Sequence, residues 1–80
     1  MTMTELNKGD SAKIVGYADG QVAYRAKLLA LGLTRGTTVT VANVAPLGDP
    51  FEISVRGYHL SLRRAEAAVL MVRPVAEKEG

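Results

Sequence analysis

Between residues 51 and 62 apolar and polar side chains alternate in two runs separated by a glycine. Phe51, Ile53 and Val55 are interleaved with Glu52, Ser54 and Arg56; beyond Gly57, Tyr58, Leu60 and Leu62 are interleaved with His59, Ser61 and Arg63. A period of two is the mark of half-buried strands. With Arg56-Gly57 as a two-residue connection, Val55 faces Tyr58, Ile53 faces Leu60 and Phe51 faces Leu62, all on one side, and Gly57 supplies the positive φ such a turn needs. A one-residue slip would turn a whole strand over, so this register alone keeps the large apolar groups together. A sheet with one apolar face requires a cover, which the rest of the chain has to provide.

The remaining pattern predicts four further elements. After a lead-in over 4–10, whose Leu6 plugs the core, Ala12, Ile14 and Gly16 alternate with Lys13, Val15 and Tyr17 as a first strand, and Gly16 marks a bulge. Asp19 is a candidate N-cap for a helix over Val22–Leu31, with Val22, Ala26, Leu29 and Ala30 on one buried stripe and Leu28 and Leu31 beside it. Gly32 followed by Leu33 is the pattern of a Schellman-type C-cap. Thr34-Arg35-Gly36 forms a turn, and Thr37–Val44 is a β-branched strand. Past the hairpin, 64–68 predicts a helical turn and Val69–Arg73 a last strand stopped by Pro74, leaving 75–80 as a frayed tail and about 4–74 ordered. Five short strands with one inserted helix predict a mainly β fold, a small SH3-like five-stranded barrel forming a single domain over 1–80.

Composition narrows the chemistry. With 80 residues, one core is only marginally sufficient, and the lack of cysteine removes disulfides, thiolate metal sites and cysteine catalysis. A net charge of +2 with a pI near 9.2 is mildly basic, without the concentrated stripe of a nucleic-acid binder. Apolar stretches are too short for a membrane span and the start lacks the character of a signal peptide, which predicts a cytoplasmic protein. The surplus of apolar residues in so small a domain predicts weak self-association, a homo-oligomer of low affinity.

Three segments carry a family likeness. Arg25–Gly36 ends in Leu-Gly-Leu-Thr-Arg-Gly, Ala45–Pro50 reads Ala-Pro-Leu-Gly-Asp-Pro, and Val55–Arg63 contains the hairpin turn and the strand after it. In order and spacing these resemble the FeoA family, small SH3-like proteins of bacterial ferrous iron transport. The resemblance implies a non-enzymatic accessory protein that docks on the cytosolic GTP-binding region of the membrane ferrous iron transporter of the FeoB family, touching the membrane only through that partner. Two other classes stay open: an SH3-like nucleic-acid-binding module, and a regulatory domain acting in trans on an iron-dependent repressor.

The candidate residues fit recognition better than chemistry. His59 is the one histidine, expected opposite Ser54 with no orienting acid, a poor nucleophile constellation; one histidine and scattered acids are too few for a tight metal site. The glycines stand singly at turns and cradle no phosphate, so neither a cofactor nor a nucleotide is expected. Three outward features remain as partner-binding candidates. They are Pro46, Leu47 and Asp49 on a proline-stiffened loop, Tyr24, Arg25 and Lys27 on the helix, and Arg56 and His59 on the hairpin. For Leu47 two readings stand, an exposed anchor or a cap folded under the barrel.

Overall fold

A computed structural model describes residues 1–20 and 22–75. Five antiparallel strands form one bent sheet: β1 (Ser11–Tyr17), β2 (Thr38–Val44), β3 (Phe51–Val55), β4 (Tyr58–Leu62) and β5 (Leu70–Pro74), in the spatial order β4-β3-β2-β1-β5. Helix α1 (Val22–Ala30) lies between β1 and β2, the single-turn helix α2 (Arg64–Ala67) lies between β4 and β5, and a 3-10 turn covers Met3–Glu5.

The hairpin has the register that alternation dictates, with Val55 opposite Tyr58, Ile53 opposite Leu60 and Phe51 opposite Leu62. Arg56 at φ 49° and Gly57 at φ 84° both take the left-handed conformation, the type I′ turn whose twist matches the strands. Ile14, Val39, Val41, Phe51, Ile53, Val55, Leu62, Leu70 and Val72 meet beneath the sheet, and Met3, Leu6, Leu28, Leu33, Ala67 and Val69 close the core. β1 pairs with β2 and β5, and its register with β5 shifts between Ile14 and Gly16, the bulge expected at Gly16.

Four expectations are corrected. In α1 the stripe Val22, Ala26, Leu29 and Ala30 is exposed, and Leu28 alone is buried. The Schellman bonds, Leu33 N–H to the Leu28 carbonyl and Gly32 N–H to that of Leu29, reverse the chain at once, so the core is filled from the C-terminal end of α1 by Leu28 and Leu33, not along a face. Tyr58 is 40% exposed rather than core, because it stands beside the turn on the outer strand, where its hydroxyl donates to the Leu31 carbonyl at 2.8 Å. Pro74 does not stop β5 but pairs with Ala12 within it. Val75 is no part of a frayed end, since its N–H donates to the Ser11 carbonyl at 3.0 Å. The rest of the expected tail lies outside the described residues, as does Gln21, which separates the expected cap Asp19 from α1.

Candidate docking surface

The loop between β2 and β3 is held on three sides. Gly48 N–H donates to the Ala45 carbonyl at 2.7 Å, Ala45 N–H to the Pro50 carbonyl at 3.2 Å, and Arg64 N–H to Asp49 Oδ1 at 3.2 Å, while the Asp49-Pro50 peptide is cis. Gly48 has φ 79°, and a Cβ there would stand 2.7 Å from Arg64 Nη1, so the loop lies directly on that guanidinium and needs glycine twice over. On this rigid base Leu47 projects with 92% of its surface in solvent. Of the two readings the sequence left open for Leu47, the exposed one holds. An apolar side chain pre-ordered and left in water is the form of an interface anchor.

Helix α1 is fastened at one end. Leu28 is enclosed, Tyr58 holds the Leu31 carbonyl, and Tyr17 Oη donates to the Leu33 carbonyl at 2.7 Å. Lys27 Nζ lies 2.5 Å from Oε2 of Glu66, whose side chain is 5% exposed. The other carboxylate oxygen accepts the Arg63 N–H at 3.0 Å, so Glu66 both caps α2 and ties α1 to it. The hydrogen bond from Lys27 holds the Glu66 carboxyl below its ordinary value, against the opposing effect of burial. Among the described residues nothing comparable holds 22–26: Val22 is 73% exposed, and Ala23, Tyr24, Arg25 and Ala26 are exposed with it. At 100° per residue Val22, Ala26, Leu29 and Ala30 share the face opposite Leu28, so the apolar face of α1 points away from its own barrel.

The loop and the helix border one cleft of about 460 Å³, with Lys27 on one wall, Asp49 and Pro50 on another, and Ser61, Arg63 and Glu66 between them. Lys27 and Asp49 of the candidate set therefore meet at this cleft, Pro46 and Leu47 belong to the loop that supplies Asp49, and Tyr24 and Arg25 sit on the exposed part of the same helix as Lys27. Lys27 and Asp49 each already hold a structural partner. The two hairpin candidates lie apart. Arg56 Nη2 donates to Thr37 Oγ1 at 3.1 Å, and His59 faces a separate groove with Glu52, Leu60 and Ser61. His59 and Ser54 stand opposite one another across β3 and β4. Among the described residues no cluster of three or more histidine and acidic side chains is poised to hold a metal ion, and no helix there is long and apolar enough to cross a membrane.

Glu66 is a member of this site that the sequence pattern did not single out, and Val22 and Leu29 are exposed residues that it placed in the core. Glu66 had a signal, its place three residues after the cap Arg63, but the cap lacks the hydroxyl or carboxylate that makes that spacing conspicuous.

The FeoA domain family matches residues 1–74. The chain belongs to the FeoA family. Its similarity extends to the Fe(2+) transport protein A/Fe(2+) transporter FeoB fusion protein of Porphyromonas gingivalis, with 38% identity over 76 residues, 95% of this chain. This FeoA-family chain spans only 9% of the length of that relative, in which an FeoA unit and a ferrous iron transporter are one polypeptide. The fusion links the family to ferrous iron transport. Among solved structures, the FeoA-like protein of Clostridium acetobutylicum superimposes with a TM-score of 0.88 at 31% identity, covering all of this chain and 92% of that one. The FeoA of Stenotrophomonas maltophilia, described as a prokaryotic SH3 domain protein complexed with zinc, superimposes with a TM-score of 0.79 at 29% identity, covering 91% and 89%. The SH3-like fold expected from the strand pattern is thus the fold of the family.

Proposed function

We propose that this chain is a non-enzymatic accessory protein of ferrous iron uptake that docks on the cytosolic GTP-binding region of a membrane ferrous iron transporter. The observation that carries this reading is the relative in which an FeoA unit and the transporter are continuous. Fusion raises the effective concentration of one unit at the other to roughly millimolar, so a separate chain doing the same work needs a surface with affinity of its own. The side of the molecule with the β2–β3 loop and α1 has the attributes of one: a rigid exposed apolar tip at Leu47, an apolar helix face turned outward, and a cleft with balanced charge from Lys27, Arg63, Asp49 and Glu66. Docking there acts by population shift, stabilising whichever conformation of the transporter presents the complementary surface.

Calorimetric titration of the protein into the detergent-solubilised transporter of the same organism tests the reading, with no nucleotide, with GDP, and with a non-hydrolysable GTP analogue. Saturable binding that changes with nucleotide and weakens at least about tenfold in Leu47→Asp is the expected result. Absence of binding in all three states refutes it.

A further inference from the structure

The two edges of the sheet are treated differently. β5 is covered: Val72 N–H donates to the Met1 carbonyl at 2.8 Å, Thr2 bridges to Met71, and the strand ends in Arg73 and Pro74. A covered, charged or proline-bearing edge resists pairing with another chain. β4 has none of these protections. It is the outer strand at the other side, neighbours β3 alone, and carries no formally charged residue from Tyr58 to Leu62.

The turn fixes which backbone groups are free. In a two-residue type I′ hairpin the flanking pair, here Val55 and Tyr58, is hydrogen-bonded, so Tyr58, Leu60 and Leu62 direct their N–H and C=O groups at β3. His59 and Ser61 then direct theirs outward, and among the described residues no other backbone meets them. Both residues are exposed.

We infer that β4 is a self-pairing edge, whose occupant is β4 of a second copy running antiparallel about a two-fold axis at Leu60. The register is self-complementary. Centred on Leu60, it sets His59 opposite Ser61 of the second copy and Ser61 opposite its His59, so the four outward N–H groups find the four outward carbonyls. Leu60 meets its own counterpart in a non-hydrogen-bonded pair, where side chains approach most closely, and its exposed part is covered. Tyr58, 40% exposed, stands directly opposite Leu62 of the second copy, on the same face as Leu60. No formal charge lies on the strand from Tyr58 to Leu62, and Arg56, Arg63 and Arg64 flank it, so like charges meet only at the two ends of the seam and weaken it there. One five-residue edge covers far less than the roughly 800 Å² per partner of a stable dimer, which makes the association reversible, with a Kd on the order of 0.1–1 mM.

Amide exchange with solvent, measured by NMR at about 0.05 mM and about 2 mM protein, reads the seam directly. Pairing slows exchange of the His59 and Ser61 amides by about two- to fourfold at the higher concentration, given that affinity, and leaves the Leu47 amide unchanged. Ser61→Lys sets two like charges diagonally across the seam and an ammonium opposite each His59, and Ser61→Pro removes a seam donor at a position where an edge strand tolerates proline; each abolishes the concentration dependence at His59. Ser61→Lys leaves the backbone intact, so the test stands even where the proline variant misfolds. His59 and Ser61 amides indifferent to concentration overturn the inference, as does concentration-dependent protection confined to residues 22–26 of α1, which would mean self-association through the helix.

Discussion

Strand β3 and helix α1 differ in how much of themselves they hide. β3 buries Phe51, Ile53 and Val55 out of five residues; α1 buries Leu28 out of nine. A strand paired on both sides within a bent sheet is enclosed along its inner face, whereas α1 is packed against the core at one end. Folding free energy is therefore concentrated in the sheet, and the apolar surface α1 keeps in water is available for recognition. The sharpest way to break this division is Phe51→Ala. It removes a 2%-exposed ring from the core, and a loss of about 3–5 kcal/mol in urea unfolding is expected. A loss below about 1 kcal/mol would show that the sheet does not carry the fold.

Leu28→Ala probes the one point where the two regions join. Leu28 is fully enclosed, and a loss of about 2–4 kcal/mol is expected. Amide exchange shows how the loss is distributed. The α1 amides should lose protection first, because Leu28 holds the helix while β2 and β3 hold one another.

The same contrast explains what the sequence disclosed. In β3 and β4 a period of two, a turn with one compatible register and a glycine at the tip leave no other arrangement, and register, bulge and fold class were all legible. In α1 the period of 3.6 was equally legible, but amphipathicity says only that one face is apolar. It does not say whether that face meets the protein's own core or a surface outside it, and Val22 and Leu29 were assigned to the wrong side for that reason. Leu47 was ambiguous on the same ground, since a leucine between two prolines suits either a cap or an anchor. Its exposure rules out the cap, and Arg64, which meets the loop from far along the chain, leaves no mark in the local pattern. Glu66 joins Lys27 across 39 residues, a pairing that no periodicity encodes.

Glu66→Gln sharpens the comparison at the tether. It removes a charge that binds Lys27 and caps α2, and a cost of about 1 kcal/mol at pH 6 is expected, kept small by the solvent-exposed ammonium. The sign of the pH dependence follows from the lowered carboxyl. The folded protein holds this proton more weakly than the unfolded chain, so the stabilisation is complete above the ordinary value of 4.5 and is lost as pH falls below it. Urea midpoints of the two proteins should therefore differ at pH 6 and draw together as pH falls below the ordinary carboxyl value; a gap unchanged down to the lowest pH at which both stay folded would assign the effect to packing.

The smallest expected effect on stability tests the division most directly. Leu47→Asp and Val22→Asp place a carboxylate where a large apolar group stands in water, so the folded state loses almost no burial, and urea midpoints within about 0.5 kcal/mol of the parent are expected. Val22→Asp has a small offset in its favour, because an acid in the first turn of α1 meets the positive end of the helix dipole. Against the transporter the two variants should then separate the loop from the helix. Weakening by both means that the partner spans the cleft, and weakening by Leu47→Asp alone means that the loop tip is the anchor and the helix face is rim. A Leu47→Asp protein that unfolds would place Leu47 in the structural core and remove it from the proposed docking surface. That outcome would erase the distinction between the two regions at the residue where it is clearest.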